Sequence, residues 1–229
     1  MINLYIKSGC MRQHNPKSNL KRSIPSYQNS CLQRELTTST LLVDRVSQKR
    51  RKNFDTLVGK SNGISSPVEP FTTYKHSIEL RENVADLWWT VNDDKQEILF
   101  ELHVKTTGWI ALGISPDGAM IGADIGTGWV DKIGNVHFQD RYAYAFARPI
   151  IDNTTQDWFH LQGREQNGWT SIQFKRLLDT SDPMDVPIMS GITNVIFAYG
   201  LVDADLSRPN GDISSHGPRR GVLKIPLHS

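Results

Sequence analysis

The side chains in this sequence that could do chemistry are few, and their spacing narrows what they could do. Its seven histidines, His14, His76, His103, His137, His160, His216 and His228, include no pair that is adjacent or one residue apart. Copper(II) favours imidazole nitrogen, and these histidines offer no adjacent or alternating pair of such ligands. Both cysteines, Cys10 and Cys31, lie near the N-terminus, so nothing beyond them is expected to hold a disulfide or a thiolate metal site. Ser214, Ser215 and His216 are consecutive, which denies a serine and a histidine the face-to-face geometry of a nucleophile and its base. No Gly-Xaa-Ser-Xaa-Gly elbow and no phosphate-binding glycine loop occurs. No catalytic residue is therefore assigned. Asn153-Thr154-Thr155 is an N-glycosylation sequon in a polar loop, usable if the chain enters the secretory pathway.

Charge divides the sequence in two. Residues 1–60 carry 12 Lys+Arg against 3 Asp+Glu, and residues 61–229 carry 14 against 21. The basic stretch is rich in Ser, Asn and Gln, with only brief apolar clusters such as Leu41-Leu42-Val43, too little burial to offset the entropy of ordering. It reads as a disordered tail. Its Lys49-Arg50-Arg51-Lys52 run reads as a solvated linker, and nucleic acid is not expected as a partner. Met1-Ile2-Asn3-Leu4-Tyr5-Ile6-Lys7 is too short and polar for a signal peptide's apolar region of roughly 7 to 15 residues. No segment approaches the roughly 20 apolar residues of a membrane span.

The remaining residues must be positioned by strands. Ser65-Ser66-Pro67-Val68-Glu69-Pro70 has linker composition, which sets a tail and linker over 1–70 and a folded domain over 71–229. From Phe71 onward the apolar period is two. Ile98, Phe100, Leu102 and Val104 alternate with Leu99, Glu101, His103 and Lys105, the pattern of a half-buried strand. Asn92-Asp93-Asp94-Lys95 joins that strand to Leu87-Trp88-Trp89-Thr90-Val91 as a hairpin. Further strands are expected at 109–115, 125–130, 136–140, 143–147, 158–162, 170–174, 195–202 and 221–227, with a helical turn between Phe174 and Leu178. The fold class is all-β: an Ig-like antiparallel β-sandwich of about nine to eleven strands.

The string Gly108-Trp109-Ile110-Ala111-Leu112-Gly113-Ile114-Ser115-Pro116, followed by Met120-Ile121-Gly122-Ala123-Asp124-Ile125 and Gly128-Trp129-Val130, resembles the start of a DOMON domain. Asp140-Arg141-Tyr142, Gln156-Asp157-Trp158, Phe174-Lys175-Arg176, Asp182-Pro183-Met184-Asp185 and Phe197-Ala198-Tyr199-Gly200 continue the likeness in order. It covers about Thr73 to Leu227. Among DOMON proteins the likeness is to the N-terminal domain of dopamine beta-hydroxylase-like copper monooxygenases, whose copper domains use neighbouring or alternating histidines; no such pair occurs here, which implies that no copper is expected in this chain. Where that family tends to carry a cysteine tying the domain to its catalytic partner, Ser181 stands here, which implies that no such covalent tie is made.

The resemblance implies three sites. Asp124 and Asp157, with main-chain carbonyls near Ile125 and Arg141, match a metal site of the copper-monooxygenase DOMON domain, and such oxygen donors suit a hard ion like Ca²⁺. In the alternative use of the same residues, Asp124 pairs with Arg141 and Asp157 caps a turn. DOMON cytochromes hold haem b between a methionine and a histidine in the two loops where Met120 and His216 fall here. The alternative is that Met120 is apolar filler and His216 a loop residue. DOMON relatives also suggest carbohydrate binding, for which Trp88, Trp89, Trp109, Trp129, Trp158 and Trp169 could form a face; in the alternative they fill the core.

The expected function is a non-catalytic module binding haem or sugar, and a Ca²⁺-like cation, for extracellular recognition or electron transfer. The competing expectation is a fragment or accessory domain whose partner is a copper monooxygenase catalytic domain. The resemblance implies the extracellular space or the secretory pathway, although no signal peptide is visible.

Overall fold

In the computed structural model, which describes residues 63–208 and 212–229, the period-two stretches are strands. In chain order these are β1 (His76–Arg81), β2 (Ala85–Asn92), β3 (Glu97–Val104), β4 (Ile110–Ser115), β5 (Asp124–Val130), β6 (Val136–Tyr142), β7 (Ile150–Ile151), β8 (Phe159–Gln166), β9 (Trp169–Leu177), β10 (Gly191–Tyr199) and β11 (Arg220–His228). Five form one sheet in the order β1-β2-β3-β9-β8, and six form the other in the order β11-β10-β4-β5-β6-β7. Neighbouring strands pair antiparallel throughout. The expected all-β sandwich is present. The basic tail of residues 1–60, with Cys10, Cys31 and the Lys49-Arg50-Arg51-Lys52 run, lies outside the described residues.

Alternation decides what enters the space between the sheets. β3 contributes Ile98, Phe100, Leu102 and Val104, β4 contributes Ile110, Leu112 and Ile114, and β9 to β11 add Ile172, Phe174, Val195, Phe197, Ile225 and Leu227. All are at most 3% exposed, and each such burial stabilises by about 1.5–3 kcal/mol. Trp89 joins this core and its indole N–H donates to the Leu227 carbonyl at 3.1 Å. Its neighbour Trp88 points the other way, as successive strand residues must, and packs on the His103 ring at 4.4 Å.

Two local expectations differ from what forms. Residues 143–147 are not a strand: the chain leaves the sheet after β6 and returns at β7. Ala-Tyr-Ala-Phe-Ala alternates small and large, but Tyr144 and Phe146 are 63% and 79% exposed, so the alternation has no face to bury. The stretch from Phe174 to Leu178 makes no helical turn, because β9 stays paired with β3 as far as the Leu177–Glu97 register.

Residues 65–70, read as a linker, instead pack on the five-stranded sheet as part of the compact unit. Val68 is buried, and the backbone N–H groups of Ser65 and Ser66 donate to Asp86 Oδ2 at 3.1 and 2.7 Å. Phe71 N–H donates to Glu101 at 2.9 Å, the Tyr74 hydroxyl donates to the same carboxylate at 2.7 Å, and Ser66 Oγ meets His103 Nδ1 at 2.8 Å. Asp86, Glu101 and His103 occupy the outward positions of β2 and β3 that alternation assigns to solvent, yet all three are fully buried. A strap of irregular chain covers them and supplies donors to Asp86 Oδ2 and to both Glu101 oxygens, while Asp86 Oδ1 stays without a partner. Burial raises the Asp86 carboxyl above the usual carboxylate range.

Candidate functional site: an outer-face cavity and an acidic cluster

In the middle of the six-stranded sheet, β4 turns Ile110, Leu112 and Ile114 into the core and leaves small residues on the outer face. Ala111 and Gly113 of β4 and Ala198 of β10 face away from the core, and the shallow surface they leave floors a cavity of about 730 Å³. That is within the ~300–1,000 Å³ typical of small-molecule sites. A Cβ at Gly113 would press on the Ile196 and Ile125 side chains, so glycine keeps the floor low. Three loops wall the cavity: Gly118 to Met120 between β4 and β5, Phe146 to Pro149 between β6 and β7, and Ile213 to His216 before β11. Met120 and His216 thus line one cavity from loops far apart in sequence. His216 Nδ1 lies 2.7 Å from the Gly217 carbonyl. A carbonyl only accepts, so Nδ1 carries the proton and Nε2 of the neutral ring keeps its lone pair, the arrangement of a metal-ligating histidine. At the rim, Arg148 is ion-paired with Asp212.

A second feature sits where β5 begins and β6 ends. Asp124 is fully buried; its Oδ1 accepts from the Trp158 indole N–H at 2.5 Å, and its Oδ2 is ion-paired with Arg176 of β9 and accepts from Val186 N–H at 3.3 Å. Asp140 Oδ2 accepts from Asp157 N–H at 2.8 Å. One carboxylate oxygen from each of Asp124, Asp140 and Asp185 lies within 4.8 Å of the others. Like charges so close in a dry setting favour the neutral form. Burial first, and then Asp124 and Asp185, push the Asp140 carboxyl up to about 8. Burial holds Asp124 up at about 7 even with Arg176 beside it, and Asp185 is raised by the same cause. Oδ1 of Asp140, Oδ2 of Asp152 and Oδ1 of Asp185 are buried with no hydrogen-bond partner. Such orphaned carboxylate oxygens are what a hard cation would coordinate.

The family model described as the DOMON domain matches residues 82–200. The chain belongs to the DOMON family. Within that family its relatives by sequence include "MOXD1 homolog 2" of Drosophila melanogaster, 35% identical over 68% of this chain and 19% of that protein. "Putative DBH-like monooxygenase protein 2" of Homo sapiens is 33% identical over 53% of this chain and 24% of that protein, and dopamine beta-hydroxylase of Bos taurus is 26% identical over 64% and 23%. The chain therefore spans about a fifth to a quarter of these relatives. Among solved structures, the cytochrome domain of Myriococcum thermophilum cellobiose dehydrogenase superposes with a TM-score of 0.52 at 14% identity, covering 63% of this chain and 75% of that one. The cytochrome b domain of pyranose dehydrogenase from Coprinopsis cinerea gives 0.52 at 17% identity, covering 65% and 80%. These establish a shared fold.

The residues singled out from the DOMON likeness fall into both features. Met120 and His216 share the cavity. Asp124 sits at the heart of the acidic cluster, while Asp157 reaches it through its backbone N–H to Asp140. Ile125 and Arg141 are cross-strand partners between β5 and β6. The pairing of Asp124 with Arg141 does not form: Asp124 takes Arg176, and the Arg141 guanidinium donates to Pro149 O at 2.8 Å and to Gln139 Oε1. Asn153 is exposed in the loop after β7. The six tryptophans form no outward face, since none is more than 7% exposed. Trp109 alone of them lines the cavity. Sequence reasoning missed Asp140, Asp152, Asp182, Asp185 and Arg176 as site residues. Their signal was the Asp140-Arg141-Tyr142 and Asp182-Pro183-Met184-Asp185 strings, which carried the family likeness without suggesting contact.

Proposed function

We propose that this chain is a non-catalytic DOMON module that holds haem b in the outer-face cavity between Met120 and His216, and a hard divalent cation such as Ca²⁺ in the acidic cluster. The observation that carries the haem reading is the convergence of a thioether and an imidazole with a free Nε2 lone pair on one apolar-floored cavity. Met/His-ligated haem supplies one-electron transfer at a raised potential. The chain's own part is to orient His216 through Gly217, to keep the floor low with Ala111, Gly113 and Ala198, and to line the wall with Trp109 and Phe146. The cation reading rests on the three orphaned carboxylate oxygens and on carboxyls that would otherwise hold protons near neutral pH. Extracellular or secretory-pathway recognition or electron transfer suits such a module, and Asn153 would then be open to glycosylation. Among the described residues no helix is long and apolar enough to cross a membrane.

Haem reconstitution of the purified chain tests the first site. A Soret band is expected, shifted in Met120→Ala and in His216→Ala; no band, or identical spectra in both variants, overturns it. The sequence relatives support a second reading, in which the module serves a dopamine beta-hydroxylase-like catalytic domain as an accessory. Co-purification with such a domain, unaffected by haem, is its expected signature.

A further inference from the structure

The acidic cluster is larger than one cation needs. Asp124, Asp140 and Asp185 form one triplet of carboxylates within 4.8 Å, and Asp152, Asp182 and Asp185 form a second. Only Asp185 belongs to both. Each triplet also has a buried oxygen of its own without a partner: Oδ1 of Asp140 in the inner one, Oδ2 of Asp152 in the outer one. An ion seated among Asp124, Asp140 and Asp185 would leave the Asp152 oxygen orphaned, in a residue only 5% exposed.

The outer triplet is also held in place. Thr154 N–H and Oγ1 donate to Asp152 Oδ1 at 2.7 and 2.5 Å, which fixes that carboxylate and leaves Oδ2 open. Met184 N–H donates to Asp182 Oδ1 at 2.7 Å, and the Thr155 hydroxyl bridges Asp157 and Asp182 at 2.5 and 2.8 Å. Asp124, Asp140, Asp152, Asp157, Asp182 and Asp185 bring six carboxyl groups together, and Arg176, ion-paired to Asp124 and Asp185, is the positive charge set against them. With the carboxyls ionised by cation binding, one divalent ion and Arg176 would offset only three of six negative charges. Adjacent cations sharing ligands at roughly 3.5–4 Å are a known solution.

We propose that the cluster binds two divalent cations of the calcium type, the second among Asp152, Asp182 and Asp185, with the Asp185 carboxylate bridging the pair. The proposal rests on the cation reading above and adds a second, separate position. Equilibrium dialysis of the full chain at millimolar free Ca²⁺, with metal analysis, reads it directly. Two ions per chain are expected, falling to one in Asp152→Asn. Terbium emission sensitised by Trp158, whose indole touches Asp124, reports the inner ion and is expected to persist in Asp152→Asn. One ion in the unmodified chain, or a stoichiometry unchanged by Asp152→Asn, overturns the second position while leaving the first. No bound ion overturns both. Should Asp152→Asn not fold, as judged by circular dichroism, the stoichiometry of the unmodified chain decides alone.

Discussion

Replacing Asp140 by asparagine should have opposite effects on stability with and without calcium. Asp140 is 1% exposed, and its carboxyl is pushed up to about 8 from 3.8. At ~1.4 kcal/mol per unit, a shift of about four units means that its burial opposes folding by on the order of 5 kcal/mol in mildly alkaline buffer. The sign follows from linkage: a raised folded-state pKa gives a contribution fully present below about pH 4 and lost as pH rises through about 8. The asparagine side chain is neutral, can still accept from Asp157 N–H, and offers an amide to the Asp124 and Asp185 carboxylates. In a chelator near pH 8 the variant should therefore be more stable by at least about 1 kcal/mol, or about 2–4 °C in Tm for a domain of this size. In Ca²⁺ at about 100 times Kd the original chain gains about 2.7 kcal/mol that the variant lacks, and the order reverses. Differential scanning calorimetry of both chains, with chelator and with Ca²⁺, near pH 5 and pH 8, checks this. A variant less stable in chelator near pH 8, or an order that calcium does not reverse, would refute the electrostatic reasoning.

Trp158→Phe removes the indole donor from buried Asp124 and should destabilise by about 1.5–3 kcal/mol, the range for hydrogen bonds to charged groups, as read by urea unfolding; an unchanged midpoint refutes it. Ala198→Leu adds three carbons to the cavity floor and should abolish the Soret band on haem addition while shifting Tm little. A chain starting at Phe71 strips Asp86 of the Ser65 and Ser66 donors, and compared with one starting at Ser61 it should lose at least about 2 kcal/mol; equal unfolding midpoints would show the strap to be dispensable. Proton release on calcium binding should be greater near pH 6 than near pH 9, because Asp124 and Asp140 are raised to about 7 and 8; a pH-independent value in calorimetry with two buffers contradicts that.

The parts of the fold set by local alternation were legible in the sequence. Ile98, Phe100, Leu102 and Val104 could face only one way once the period was two, and β3 forms as that pattern demands. What was not legible depended on distant partners. Ala-Tyr-Ala-Phe-Ala has strand periodicity, but a strand also needs a neighbour, and beyond Tyr142 the β6–β7 pairing stops. Asp86, Glu101 and His103 have the polarity of a solvated face, and nothing nearby in the chain announces that residues some 20 to 37 positions upstream cover them. At the acidic cluster, Asp124 was legible through its motif. Its ion-pair partner Arg176 lies 52 residues away on the other sheet, so the nearer Arg141 was the natural but wrong partner.

The excursion from Ala143 to Pro149 has a narrow neck. It leaves and re-enters the sheet at the Tyr142–Ile150 and Arg141–Ile151 pairs, Asp152 N–H closes onto the Asp140 carbonyl at 2.9 Å, and the Gln156 amide spans the Asp140 and Asp152 carbonyls at 3.1 Å each. The loop that contributes Phe146 to Pro149 to the cavity wall is thus anchored on Asp140 and Asp152, two members of the acidic cluster, so one hydrogen-bonded base joins both features.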